Sequence, residues 1–576
     1  MPTFRTRRTL TASCIGLIAS VSALAAPTTA GAAPPAPGVE PQLVTSVDVS
    51  SGGTGARFLL GDVSGDGRLD LVTMQPTYSA DDRYIGRQVQ ALTAYDLSGA
   101  QLWQIGTPDP RVTNNGTDIP AEIYDIDADG DNDVLAVMSD EFRIFDGATG
   151  VLRKAFPLPH PEAHDTIVVA NFRGTPTPQD IVLKDRYNNV WALDNEGRLL
   201  WTHAGNPGHR PYPHDFTGDG RQELIAGYDV LTPDGQVIWT ADMADHADSI
   251  GVADVNGHGV EDIAFGGAGL GGGSTNVYRS DGALLYSNPD AVEAQQVAFG
   301  DFRPDLPGLE LAGLDRVDRT ATTGKDALYL VGSDGTTLWQ EHRTTLGCWG
   351  TVMEPLHNWD GRHADHMLVW NRGCGEIAGI FDGTGARVAT FPVDGRMMRG
   401  DLCGDDRGEV VDYVMGDRAY VYSTGPCDLN AKVTGRPLPQ AKRLYNYSRY
   451  TAEEKPADHA RARRAWASSA HHRHPAGAAN DGRAWTTWEP SRYDRDPQWK
   501  VDLGAVRELT GIEIDWAGRA PRGTVVVESS KDGRHWTRLH SGPIANKTLF
   551  TGLARYVRVE VPRSAGIAEL AILGTR

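Results

Sequence analysis

Three histidines stand at equivalent places along this chain: His164 in AHDTIVVANF, His209 in GHRPYPHDF and His246 in DHADSIGVADV. Each opens a run that reads as a β-strand. Other strand-like runs end in cations and phenols: Lys184, Arg186 and Tyr187 after DIVL, Tyr228 after ELIAG, then Arg316, Arg319 and Arg372. Imidazole, phenol and guanidinium together suit β-elimination beside a carboxylate. The carboxylate must first be neutralised, best by a bidentate Arg. A neutral His or an ionised Tyr then removes the acidified proton, and a Tyr or His protonates the departing oxygen. Glycoside hydrolysis would instead need two carboxyl groups at one place. Asp165, Asp185, Asp229 and Asp245 are its candidates. Trp349 and Trp370 either stack on sugar rings or pack between repeats.

A second chemistry lies in acidic loops. Asp215, Thr217, Asp219 and Glu223 carry oxygens at offsets zero, two, four and eight, with glycine after the third. This pattern wraps a hard cation, calcium in particular. Further copies are Asp62-Ser64-Asp66-Asp70, Asp125-Asp127-Asp129-Asp133, Asp254-Asn256-His258-Asp262 and Asp401-Cys403-Asp405-Glu409. Decayed copies start at Asn171, Asp301 and Asn358. The loop at Asp125 adds Asp131 and has the most carboxylates. His214, His357, His363 and His366 lie in or beside such loops and read as structural.

The elements that must position these groups follow from the repeat. Copies recur at intervals of roughly 40 to 60 residues, as blade repeats do. Each is followed by a run ending in a Gly hairpin, such as AYDLSGAQLW, ALDNEGRLLW or LVGSDGTTLW. Inner strand, acidic turn, second strand and hairpin make one four-stranded unit. The predicted fold is all-β: a β-propeller of seven or eight blades, eight favoured, with FG-GAP-like calcium loops. A strand over Leu43–Val49 would complete the last unit. If the acidic turns lie at one face, the starts of inner strands and the ends of second strands share the other. The histidines and cations then meet at one mouth.

The first repeat, GDVSGDGRLDLVTMQP with ALTAYDLSGAQLWQIG, resembles the opening blade of calcium-binding β-propeller rhamnogalacturonan lyases. HDTIVVANFRG, DIVLKDRYNNVWALD and GHRPYPHDFTGDGRQELIAGYDVL resemble propeller lyases of rhamnose–glucuronate linkages, including ulvan lyases. The resemblance covers about 44–450. It implies His164 as base and Tyr228 as acid, Lys184 or Arg186 as neutraliser, and His209 and His246 lining the subsite. The calcium of the acidic loops is then expected to be structural, with contact to the substrate as the alternative.

Beyond 450 the composition changes. The stretch 451–465, TAEEKPADHARARRA, reads as a connector. Residues 466–576 contain NDGRAWTTW, QWKVDLGAVRELTGIEIDW, VVVESSKDGRHW and ARYVRVEV, and resemble a discoidin, or coagulation factor 5/8 type C, β-sandwich. The resemblance implies a carbohydrate-binding module with a calcium held by Asp481, Thr486 and Glu569. His471, His472, His474, Trp485 and Tyr493 are possible ligand contacts on its loops. Residues 34–450 are then the catalytic propeller.

Arg5, Arg7 and Arg8 precede an apolar run over 14–26, so 1–33 reads as a secretory signal and the protein as extracellular. Of the five cysteines, Cys348, Cys374, Cys403 and Cys427 follow the signal. An exported chain favours disulfides, here Cys348–Cys374 and Cys403–Cys427. The net charge of -20 argues against nucleic acid, and no later run spans a membrane. The expected partner is an acidic polysaccharide, met by a monomer. The sequence reads as a secreted lyase of rhamnose–uronate linkages that leaves a 4,5-unsaturated uronate. Alternatives are a rhamnogalacturonan lyase, a glycoside hydrolase, or a non-catalytic adhesion propeller.

Overall fold

The computed structural model describes residues 39–574, apart from 79–85, 114–119, 176, 244–245, 258–259, 268–274, 289–290, 319–324, 345–350, 363, 372–378, 394, 404–406, 430–456, 461–462, 473, 481–485, 518–520, 522, 545–546 and 564. The chain divides into Met1–Pro37, outside the described residues together with the expected signal, and Gly38–Arg576.

The described residues are almost wholly strand. Between 42 and 423 they form eight four-stranded antiparallel sheets. Seven are built from consecutive strands. In the eighth, Gln42–Asp48 pairs with Arg418–Ser423, so the first strand joins the last three. In the third sheet the strands are Thr166–Ala170, Asp180–Lys184, Asn189–Asp194 and Leu199–Ala204. The first two are buried throughout and read as unbroken β-branched runs; the outermost alternates. Ala170 pairs with Asp180 beside the acidic loop, and Thr166 pairs with Lys184 at the far end. The fourth and fifth sheets repeat this, with His214 opposite Glu223 and Ala253 opposite Asp262 at the loop end.

Buried apolar clusters tie each sheet to the next. One joins the first to the second through Leu59, Val72, Ile123 and Val134. Others continue in order through all eight. The eighth then packs on the first through Val411, Val421, Phe58 and Leu71. The two periodic motifs of the sequence also meet here. The aromatic residue of an outermost strand lies on the hairpin glycine of the following sheet: Trp103 on Gly150, Phe156 on Gly197, Trp201 on Gly235, Trp239 on Gly282 and Trp339 on Gly385. Trp103 Nε1 donates to the Gly147 carbonyl at 2.7 Å, and Trp201 to that of Pro233 at 2.9 Å. Covering such a ring is worth about 1.5–3 kcal/mol, and the hydrogen bond spares its one polar atom.

The C-terminal sheet is centred on Gln498–Trp516, flanked by Lys547–Glu560 and Ile567–Gly574. Trp488, Trp499, Val527, Val557 and Ile572 fill its core. Ala457–Asp458 pairs with Leu573 and Gly574, and Ala460 is buried in that core. Within the stretch expected to be a connector, Ala457, Asp458 and Ala460 therefore pair with or pack on the module. A two-residue edge strand carries no periodicity by which a sequence could announce it.

Candidate functional site

A polar seam runs over the starts of the inner strands, opposite the acidic loops. Arg210 reaches from the fourth sheet to Glu122 Oε2 of the second at 2.9 Å. Asp165, just before Thr166–Ala170, receives the Lys184 ammonium and, at 3.1 Å, the Arg186 guanidinium. Arg186 Nη2 lies 3.4 Å from His209 Nδ1, and its guanidinium lies over the Tyr187 ring. His209 Nε2 and His246 Nε2 converge on Asp248 Oδ1, at 3.2 and 3.3 Å. The other oxygen, Asp248 Oδ2, accepts from Gln295 Nε2 at 2.5 Å. The Tyr187 ring centre is 4.7 Å from that of His246 and 6.2 Å from that of His209.

Local backbone explains the convergence. His209 N donates to the Ala247 carbonyl at 3.0 Å, which fastens the fourth sheet to the fifth. Gly208 precedes it at φ +64, and a Cβ there would lie 2.6 Å from that carbonyl, so this approach requires glycine. The tautomers follow from the partners. An acceptor carboxylate requires protons on both Nε2 atoms, and a guanidinium can only donate to His209 Nδ1. Burial alone would raise the Asp248 pKa. The hydrogen bonds from His209 and His246 outweigh it and hold the carboxyl well below its usual range.

Four of the six residues singled out from sequence thus share one cluster: Lys184, Arg186, His209 and His246. Lys184 is fully buried, bonded to Asp165 and to the carbonyls of Asp185 and Arg186. Arg186 is likewise buried and shares Asp165 with it. Tyr228 packs on Phe265 and donates to the His246 carbonyl at 3.0 Å. It braces His246 from behind, because its side chain falls on the core side of the turn. Tyr187 is the phenol within the cluster. His164 Nδ1 is buried beside Gly86 and has no hydrogen-bond partner among the described residues.

Of the carboxylates considered for hydrolysis, Asp165 lies in the seam, held by Lys184 and Arg186, and two others are bound elsewhere. Asp185 caps the turn at Asn188 and Asn189, and Asp229 contacts His203 Nε2 at 2.9 Å and accepts from Thr240 Oγ1 at 2.6 Å. Trp370 is buried between the seventh and eighth sheets and packs rather than stacks on a sugar. Asp245, Arg319, Trp349 and Arg372 lie outside the described residues, as does the Arg316 side chain. Asp248 is the residue sequence reasoning missed. Its only local signal is the alternation His246-x-Asp248, which would set both on one face of a strand.

At the other end, the acidic loops share one geometry. Asp62, Asp125 and Asp215 each accept from the amide five residues on, at 2.8, 3.0 and 2.9 Å. Donor oxygens of Asp125, Asp127 and Asp129 lie within 4.8 Å of one another. Asp133 behind them is buried, with Arg153 Nη1 at 3.4 Å from Oδ1 and 2.9 Å from Asp129 Oδ2. Burial pushes its pKa up to about 7, and that of Asp70 to about 6. Such carboxylates fit a hard divalent cation. The decayed loop substitutes for one: Asn171 bonds the Thr175 amide, and Arg173 Nε donates to Asp180 at 2.5 Å. His258 and Asp405 lie outside the described residues. Cys403 and Cys427 form the expected disulfide; Cys348 and Cys374 lie outside the described residues.

Comparison with known proteins gives two resemblances. Residues 464–572 match the F5/8 type C domain. The chain carries an F5/8 type C domain and is similar to rhamnogalacturonan lyases. It is 27% identical over 290 residues to rhamnogalacturonan endolyase YesW of Bacillus subtilis (strain 168). That match covers 44% of this chain and only 42% of the relative. Among solved structures, exotype rhamnogalacturonan lyase YesX is 17% identical, with a TM-score of 0.44 over 72% of this chain and 76% of that one. A chitosan-binding module from Paenibacillus sp. IK-5 is 20% identical, with a TM-score of 0.20 over 21% of this chain and 99% of that one.

Of the F5/8 domain residues expected to hold calcium, Asp481 lies outside the described residues. Thr486 Oγ1 donates to the Ala478 carbonyl at 3.4 Å, and Glu569 sits opposite Asp515 on paired strands. Tyr493 is exposed, beneath the Arg492 guanidinium.

Proposed function

We propose that this protein is a secreted polysaccharide lyase that cleaves a rhamnose–uronate linkage by β-elimination. The observation that carries this reading is the meeting of Arg186, Tyr187, His209 and His246 around Asp248. The scaffold is read as an eight-bladed propeller, supported by eight sheets joined in order by buried clusters and by the packing of the last on the first.

Arg186 meets the uronate carboxylate and draws charge from the adjacent carbon, which acidifies its proton. His246, held through Nε2 by Asp248, takes that proton on Nδ1. Tyr187 donates its phenolic proton to the departing O4 oxygen. His209, with both nitrogens engaged, positions Arg186 against Asp248. The carboxylates Asp165, Asp185 and Asp229 are committed to other contacts, which favours elimination over hydrolysis. Calcium is proposed in the loops of Asp62, Asp66 and Asp70, of Asp125, Asp127, Asp129 and Asp133, and of Asp215, Asp219 and Glu223, where it would fix the turns. The F5/8 domain would hold the enzyme on its glycan, and the chain is proposed to act as a monomer outside the cell.

The test is incubation with ulvan, gum arabic and rhamnogalacturonan. A 4,5-unsaturated uronate absorbs in the near ultraviolet. Rising absorbance that is lost in His246→Ala and kept in His164→Ala supports the assignment. Reducing ends without absorbance would point to a hydrolase, and glycan binding without turnover to an adhesion protein.

A further inference from the structure

A second convergence of histidines and a carboxylate lies in the F5/8 domain, at His471, His474 and Glu489. One donor atom each from His471, His474 and Glu489 lies within 4.8 Å of the others. The imidazole centres of His471 and His474 are 5.5 Å apart. The backbone beneath them is fixed. His471 N donates to the Glu489 carbonyl at 2.7 Å, and His474 N to that of His471 at 2.8 Å. Trp488, wholly buried next to Glu489, pairs through its backbone with Ile567 and donates from Nε1 to the Ser469 carbonyl at 3.0 Å. The turn therefore presents its donors from a rigid base. His474 Nδ1 also lies 2.5 Å from Thr487 Oγ1, a contact that orients the ring. Metal-ligating histidines are commonly held this way through their second nitrogen.

We propose that His471, His474 and Glu489 form a site for one borderline divalent transition-metal ion, with zinc the expected occupant. Two imidazoles and one carboxylate suit zinc, which binds nitrogen and oxygen donors at about 2.0–2.2 Å. Side-chain rotation alone brings donors spread over 4.8 Å onto one ion. Three protein donors leave a coordination position for water or a glycan oxygen. The acidic propeller loops offer only oxygen and prefer harder cations. In the His209, His246 and Asp248 cluster, both imidazole Nε2 atoms already converge on one carboxylate oxygen.

The test uses the full chain, stripped with chelator and then supplied with excess calcium so that the oxygen loops are filled. Zinc is titrated by calorimetry at pH 7.5, and cobalt is titrated while its visible absorption is recorded. Wild type should take up zinc at His471 and His474 and show cobalt bands of a four-coordinate nitrogen and oxygen site. His471→Ala/His474→Ala should lose one equivalent of zinc and those bands, while Asp248→Asn should keep both. Glu489→Gln, which preserves shape, should weaken zinc about tenfold or more. Unchanged stoichiometry in the double variant, or loss of the bands in Asp248→Asn alone, would overturn the proposal. A metal-free melting curve for each variant shows that the fold is retained, and a double variant that fails to fold leaves Glu489→Gln to decide.

Discussion

Replacing Asp248 by Asn should damage stability and turnover together. The carboxylate accepts from three donors: His209 Nε2 and His246 Nε2 at Oδ1, and Gln295 Nε2 at Oδ2. Asn keeps the shape but offers one acceptor and one donor. Whichever way the amide turns, an N–H faces another N–H in a buried place. Removing one partner of a buried charged set costs about 3 kcal/mol, and urea unfolding at pH 7 should read a loss of that order. The pH dependence carries a sign. Asp248 titrates below its unfolded value of about 3.9. Its contribution is therefore present above that value and fades as the pH falls through it toward the folded pKa. Wild type should lose stability between about pH 4 and pH 2, and Asp248→Asn should lose less over that range. On substrate, a displaced His246 should lower kcat by about 10²-fold with a smaller change in KM. A variant within about 0.5 kcal/mol of wild type and with unchanged kcat would refute the placement of Asp248 at the centre of the site.

Three further outcomes follow from the same geometry. Tyr187→Phe should lower kcat by about 10²–10⁴-fold, whereas Tyr228→Phe, which removes a hydrogen bond to the His246 carbonyl, should cost about 1 kcal/mol of stability; steady-state kinetics and unfolding of both variants separate the roles. Chelation should lower the melting temperature, and calcium at about a hundred times its Kd should restore roughly 2.7 kcal/mol per loop; Asp133→Asn should blunt this response in calorimetry. Cys403→Ser/Cys427→Ser opens a loop of 24 residues and should cost about 3 kcal/mol, measured as a lower urea midpoint.

The repeat was legible because its signals are local. An acidic turn announces itself within nine residues, and a Gly hairpin within six. Their partnership was not legible: that Trp103 should rest on Gly150, or Trp201 on Gly235, depends on how one sheet lies on the next. The F5/8 domain was legible as an ordered string of motifs, but its edge strand Ala457–Asp458 was not, since backbone pairing of two residues leaves no pattern.

The site marks the same boundary more sharply. The run Lys184-Asp185-Arg186-Tyr187 brings two cations and a phenol to one strand end, and composition alone ranks none above another. What separates them is the last rung of the ladder. Lys184 is still paired, with Thr166, so its side chain turns inward to Asp165. Asp185 is consumed in closing the turn. Only Arg186 and Tyr187, released from the ladder, can lean across to His209 and His246. Lengthening the ladder by one residue would exchange these parts, because alternate residues on a strand face opposite ways. An insertion of one residue between Lys184 and Asp185 should therefore abolish elimination while leaving calcium uptake by the loops intact, and retained turnover in that variant would show that Arg186 and Tyr187 do not hold the positions assigned to them.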